Sequence, residues 1–168
     1  MKNKIIILLL LTLLLTGCGI FNLDGFIMPD DMEFMVVVES LDTPEKICDY
    51  MKENFTYELH AFYAPDPYTL WKTKKADCND YATFGQFVAN WHGYETWQIQ
   101  MQFEGDGIFS HCIAVYKEKE LSYTDLDYYE YEFDSFKEIV ERVCSYRNRD
   151  CRKYKVYDYK MNLIEVGN

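Results

Sequence analysis

From Trp97 to Glu104 apolar and polar residues alternate without a break: Trp97, Ile99, Met101 and Phe103 against Gln98, Gln100, Gln102 and Glu104. Successive side chains of a strand point to opposite faces, so this pattern reads as a half-buried β-strand. Gly105-Asp106-Gly107 then supplies a hairpin turn. Ile108 to Tyr116 follows as a second strand, with Phe109, His111, Ile113 and Val115 on one face. Strands joined by so short a turn run antiparallel, which commits this part of the chain to an antiparallel sheet.

The other elements are placed around that hairpin. Thr43-Pro44 reads as a helix start, Thr as N-cap and Pro at the first helical position, and the helix runs to about Asn54. Cys78 to Trp91 turns helical, with Tyr81, Phe84, Val88 and Trp91 at steps of three and four, Asp77 as N-cap and Gly93 as the stop. Leu121 to Asp127 is a third strand, after a charged turn from Lys117 to Glu120. Ser135 with Glu138 makes a capping box for a late helix, and Tyr154 to Ile164 a closing strand. Phe34 to Val38 is β-prone and reads as a first strand or an extended lead-in. His60 to Lys75, with Pro65 and Pro67, reads as a loop. The order defines an α+β arrangement.

A length of 168 residues fits one domain. Seventeen basic residues stand against 28 acidic ones, a net charge of −11, which argues against a nucleic-acid binder. Lys2 and Lys4 precede an apolar run from Ile5 to Leu15, too short to span a bilayer and patterned as an export signal. The following Leu15-Thr16-Gly17-Cys18 resembles the lipobox of bacterial lipoproteins. That resemblance implies a signal peptide over residues 1–17, a lipidated Cys18 (palmitate among its chains), a tether over 18–33 and a folded domain over 34–168. It places the domain on the extracytoplasmic face of a cell membrane, where several acyl chains hold a protein that one would not.

Acyl transfer by cysteine needs a thiolate, an imidazole to carry protons and a group to orient that imidazole. Cys78 opens a helix, where unpaired N–H groups and the helix dipole favour a thiolate. His111 lies on an otherwise apolar strand face. Alone it would read as a satisfied core histidine; with Cys78 and two acids in the chain it reads as a functional imidazole. The third strand supplies Asp125 and Asp127. A three-residue connection between the strands sets Asp125 opposite His111, and a five-residue connection sets Asp127 there.

Lys75-Ala76-Asp77-Cys78-Asn79-Asp80-Tyr81-Ala82 resembles the Gly-Asp-Cys-x-Asp-x-Ala block of the transglutaminase-like superfamily, relatives of papain-type cysteine proteases. Tyr50 to Tyr57 is similar to its helix-then-Tyr lead-in, Ser110 to Tyr116 to its His-bearing strand and Ser122 to Asp125 to the strand that brings the acid. The resemblance implies a papain-like fold, with N-terminal helices and a nucleophile at a helix start packed on an antiparallel sheet. It implies Cys78 as nucleophile, His111 as general base and acid, Asp125 as orienting acid with Asp127 the alternative, and structural roles for Asp77 and Asp80. The backbone N–H of Cys78 is one oxyanion donor in this scheme; Trp71 and Tyr57 are the side chains considered for the second. Ala76 stands where the family block has Gly.

Of the remaining cysteines, Cys48 and Cys112 read as small buried hydrophobes, and Cys144 and Cys151 as a pair able to form a disulfide. No CxxC or HxxxH spacing points to a metal, and no cofactor is expected. His60 reads as loop surface and His92 as a helix end. Tyr123, Tyr128, Tyr129 and Tyr131 read as half-buried packing. The expectation is a monomeric, membrane-tethered Cys-His-Asp enzyme working through a thioester on a protein, peptide or cell-wall substrate. Hydrolysis of a peptide or amide bond is the first reading, with acyl transfer to an amine left open. The alternative is an inactive domain of the same fold serving as a cell-surface binding module.

Overall fold

The computed structural model describes residues 23–59 and 65–168, without the side chains of Tyr131 and Glu132. The export signal, Cys18 and His60 lie outside the described residues. The helices are α1 (Met32–Ser40), α2 (Pro44–Asn54), α3 (Pro67–Thr73), α4 (Cys78–Trp91) and α5 (Phe136–Tyr146). The strands are β1 (Thr56–Tyr57), β2 (Lys75–Ala76), β3 (Glu95–Phe103), β4 (His111–Lys117), β5 (Leu121–Asp125), β6 (Asp127–Phe133), β7 (Cys151–Asp158) and β8 (Leu163–Gly167). Six strands form one antiparallel sheet in the order β6-β5-β4-β3-β7-β8; β1 and β2 form a separate parallel pair. The architecture is α+β. Among the described residues no helix is long and apolar enough to cross a membrane.

The sheet separates two cores. On one face Cys112, Ala114 and Tyr116 of β4 meet Phe34, Ile47, Met51, Leu70, Phe84 and Val88 from α1 to α4. On the other, Ile99, Met101, Ile113, Val115 and Tyr123 meet Ile139, Val140 and Val143 of α5. Covering both faces changes the expected character of β3. Gln98 and Gln100 are buried rather than solvated, because α4 lies over them. Gln98 Nε2 donates to Oδ1 of Asn79 at 3.3 Å, giving the buried NH2 group a partner and pinning the start of α4 to the sheet. The same layering covers α4 almost all round, so residues from Asn79 to Ala89 are nearly all buried while Trp91, expected on its apolar face, is 45% exposed.

Several expectations are corrected. Phe34 to Val38 is helical: Asp31 accepts from the N–H groups of Glu33 and Phe34, and Phe34 and Val38, one turn apart, are both buried, so cap and packing override the β-propensity of three valines. The loop expected from His60 to Lys75 contains α3, capped by Asp66 with Pro67 at its first position. The first hairpin loop is longer than Gly105-Asp106-Gly107, since β4 begins only at His111. The third strand stops at Asp125, Leu126 turns the chain with φ 64, and Asp127 opens β6, whose Tyr129 stacks on Tyr123 at 4.7 Å. The closing strand is two strands, β7 and β8, joined by a turn with Met161 at φ 64.

Gly85 of α4 sits against the fully buried Tyr116; a Cβ there would lie 2.4 Å from the phenol oxygen, which pairs with Thr124 Oγ1 at 3.0 Å. Gly85→Ala should therefore destabilise the fold by about 1–3 kcal/mol through overpacking, despite alanine's better helix propensity. The midpoint of urea unfolding reads this directly, and an unchanged midpoint would mean that the tyrosine yields.

Candidate active site

Asp77 caps α4: its Oδ1 accepts from the N–H groups of Asn79 (2.9 Å) and Asp80 (3.2 Å). Asp80 Oδ2 accepts in return from the N–H of Asp77 at 2.9 Å. This reciprocal box fixes the entry of the chain into α4 and sets Cys78 in the first turn, partly exposed. The parallel β1–β2 pair places Tyr57 beside Ala76, two residues before Cys78, and the Tyr57 hydroxyl contacts the Cys78 side chain. Burial, then the neighbouring Cys78 and Asp77, pushes the Tyr57 phenol up to about 12, so it is a proton donor throughout the neutral range. Ala76 is buried at an ordinary negative φ; this backbone has no need of glycine there.

His111 opens β4. The register pairs Lys117 with Leu121 and Ala114 with Thr124, the longer of the two connections considered, which would bring Asp127 opposite His111 if β5 ran on. It ends first, and Asp125 reaches His111 from a diagonal position on the same face, within side-chain range. His111 Nε2 lies 3.0 Å from Asp125 Oδ1, both side chains almost fully buried. The carboxylate sits off the axis of the ring N–H, so the contact is a close approach rather than a straight hydrogen bond. Asp127 points elsewhere and pairs with Lys52.

Arg147, which closes α5, completes the group. Its Nε donates to Asp125 Oδ2 at 3.0 Å and its Nη2 to Oδ1 at 2.6 Å. Burial works against the Asp125 carboxylate, but the contacts from His111 and Arg147 outweigh it and hold its pKa below the ordinary value. Sequence reasoning missed Arg147. It sits in a polar run, Ser145 to Asp150, that carries no motif, and only the tertiary fold selects its partner.

Cys78, His111, Asp125, Tyr57 and Arg147 line one cavity of about 340 Å³, a size that takes a small ligand or part of a peptide. Phe103, Asp106 and Arg149 line it too; the Phe103 ring stacks on that of His111 at 6.2 Å, with Arg149 over Phe103 at 4.5 Å and bonded to Asp106 at 2.8 Å. Trp71 is not there; it is 8% exposed in the helical core, against Phe34 and Tyr68. Cys48 lines the cavity too, but burial, with Asp49 and Asp127 nearby, pushes its thiol up to about 12, the mark of an inert buried cysteine. Cys144 and Cys151 lie side by side as free thiols. Among the described residues no cluster of three or more metal-binding side chains occurs.

No family model matches the chain, and no curated protein matches it. Among solved structures, a "putative protease" from Parabacteroides distasonis is similar in fold, with a TM-score of 0.50 and 9% identity over 82% of this chain. The chain spans 28% of that protein's length. At this identity the likeness is one of fold: an α+β arrangement also found in a protein described as a protease.

The lowered pKa of Asp125 has a stability consequence. A carboxyl depressed on folding stabilises the protein above its unfolded pKa and ceases to do so as pH falls through the folded value. Asp125→Asn should therefore flatten the loss of stability below about pH 4, measured as thermal midpoint against pH in the variant and the parent. Parallel acid limbs would show that Asp125 carries no such linkage.

Proposed function

We propose that this protein is a cysteine acyl-transfer enzyme that hydrolyses peptide or amide bonds, with Cys78 as nucleophile, His111 as base and acid, and Asp125 as orienting acid. The observation that carries this reading is the buried His111–Asp125 contact in the same cavity as a thiol at a helix start. The resemblance of the sequence blocks to the transglutaminase-like superfamily points the same way, as does the fold shared with a protein described as a protease. The setting we propose for it is the extracytoplasmic face of a membrane, with Cys18 lipidated and the substrate a protein or cell-wall peptide.

The chemistry follows from the arrangement. An imidazole that turns Nε2 to Asp125 keeps Nδ1 for the thiol. Cys78 gives its proton to His111 and the thiolate attacks the carbonyl carbon. The negative oxygen of the tetrahedral intermediate is met by the Tyr57 hydroxyl and the N–H of Cys78. His111 returns the proton to the leaving amine as the C–N bond breaks, leaving a thioester. Water then attacks, losing its proton to His111, and the acid departs as Cys78 regains its thiol. An amine entering in place of water gives acyl transfer by the same steps.

Alkylation by iodoacetamide tests this on the full chain, read on the Cys78 peptide by mass spectrometry. At pH 6 Cys78 should react at least ten times faster than a free thiol of pKa about 8.5, and His111→Ala should abolish the advantage. A Cys78 that reacts only as an ordinary thiol overturns the enzyme reading in favour of the binding module. Cys18→Ala should release the protein from the membrane fraction and remove labelling by palmitate; retention of both would overturn the anchor.

A further inference from the structure

We propose that Arg147 is the positioning residue of this site: it fixes the Asp125 carboxylate and takes a share of its charge away from His111. The inference rests on the reading of His111 and Asp125 just given and assigns a role to a residue outside the Cys, His, Asp set.

The geometry is that of a fork. Nε and Nη2 of one guanidinium grip the two oxygens of Asp125 separately, at 3.0 and 2.6 Å. Such bidentate pairs fix the carboxylate plane as well as its position. Oδ1 is shared, since His111 Nε2 approaches it at 3.0 Å while Arg147 holds it at 2.6 Å. The imidazole meets it off axis, so the shorter bond to arginine sets the orientation of the carboxylate and the histidine takes what is left. The anchor of the fork is rigid too. Arg147 ends α5, its N–H returning to the carbonyl of Val143 at 2.9 Å, and the Ile139, Val140 and Val143 side chains of that helix are buried against the sheet.

The electrostatic consequence has a definite sign. A carboxylate beside an imidazole favours the imidazolium, and a guanidinium on the same carboxylate opposes it. Other titratable groups line the cavity with His111: Cys78 and Tyr57 from α4 and β1, Asp106 and Arg149 from loops, and the Cys48 and Cys112 thiols from α2 and β4. Arg149 is committed to Asp106, so these two largely cancel at His111. Arg147 is the cation that acts on the Asp125–His111 pair itself. It thereby competes with the imidazole for the charge of the carboxylate, which stays ionised and in place.

The test follows the His111 ring by NMR on the full chain in detergent, its resonance assigned with His111→Asn among the three histidines of the chain. Arg147→Gln should move the imidazole titration to higher pH by about one unit, the direction set by losing an opposing charge a few ångströms away. Arg147→Lys, which keeps the charge and is the gentler change for folding, should leave it near the parent value. Asp125→Asn should move it the other way. An unmoved or lowered titration in Arg147→Gln, with Asp125→Asn behaving as expected, overturns the role of Arg147 alone. An unmoved titration in Asp125→Asn overturns the His111–Asp125 pairing, and this inference with it.

Discussion

A carboxylate that is 7% exposed must find cations or cost several kcal/mol, and that constraint organises the sheet end in this protein. Asp125 draws His111 from the neighbouring strand and Arg147 from the helix packed on the same face of the sheet. Each approach requires something of the fold. The first needs β5 to stop one residue before Asp127 would come into register, which the left-handed Leu126 achieves. The second needs α5 to end level with the end of β5, which its buried Ile139, Val140 and Val143 fix.

The thiol arrives from the opposite core. α4 is wedged between the sheet and the other helices, and its start is held at two points: the carboxylate box of Asp77 and Asp80 on the backbone, and the Gln98–Asn79 contact on the sheet. Gln98 of β3 is thus a locating device for the helix that carries Cys78. Two cores that share no side chains meet at one cavity because a single strand, β4, shows Cys112 to one of them and His111 to the cavity between.

Much of this was legible in the chain. Asp77 as cap, the 3–4 spacing after Cys78 and the alternation through β3 and β4 are local signals, and the structure keeps them. Where reading failed, tertiary contacts decided. The valines before Ser40 speak for a strand, and only the burial of Phe34 and Val38 one turn apart makes them helical. Leu126 is neither Gly nor Asn, so nothing announces the turn that ends β5 and makes a strand of the tyrosine-rich segment after it. Alternation along β3 marks two faces but is silent on whether the polar face meets water or a helix. The Asp66-Pro67 cap was a readable signal masked by the second proline beside it. Arg147 was the hardest, because an arginine in a polar turn looks like any surface arginine until its partner on the sheet is known.

The separation of Asp125 from Arg147 also has a meaning in time. Chains are made from the N-terminus at roughly 5–20 residues per second, so the 22 positions between the two put about one to several seconds between acid and cation. Before Arg147 is made, burying the Asp125 carboxylate beside Cys78 and His111 would leave it without the guanidinium that pairs with it. A chain truncated before Arg147 would keep every member of the set and lack the charge that lets them close together. Closure of the site thus waits on Arg147, which the order of the elements makes the last of Tyr57, Cys78, His111, Asp125 and Arg147 to be made.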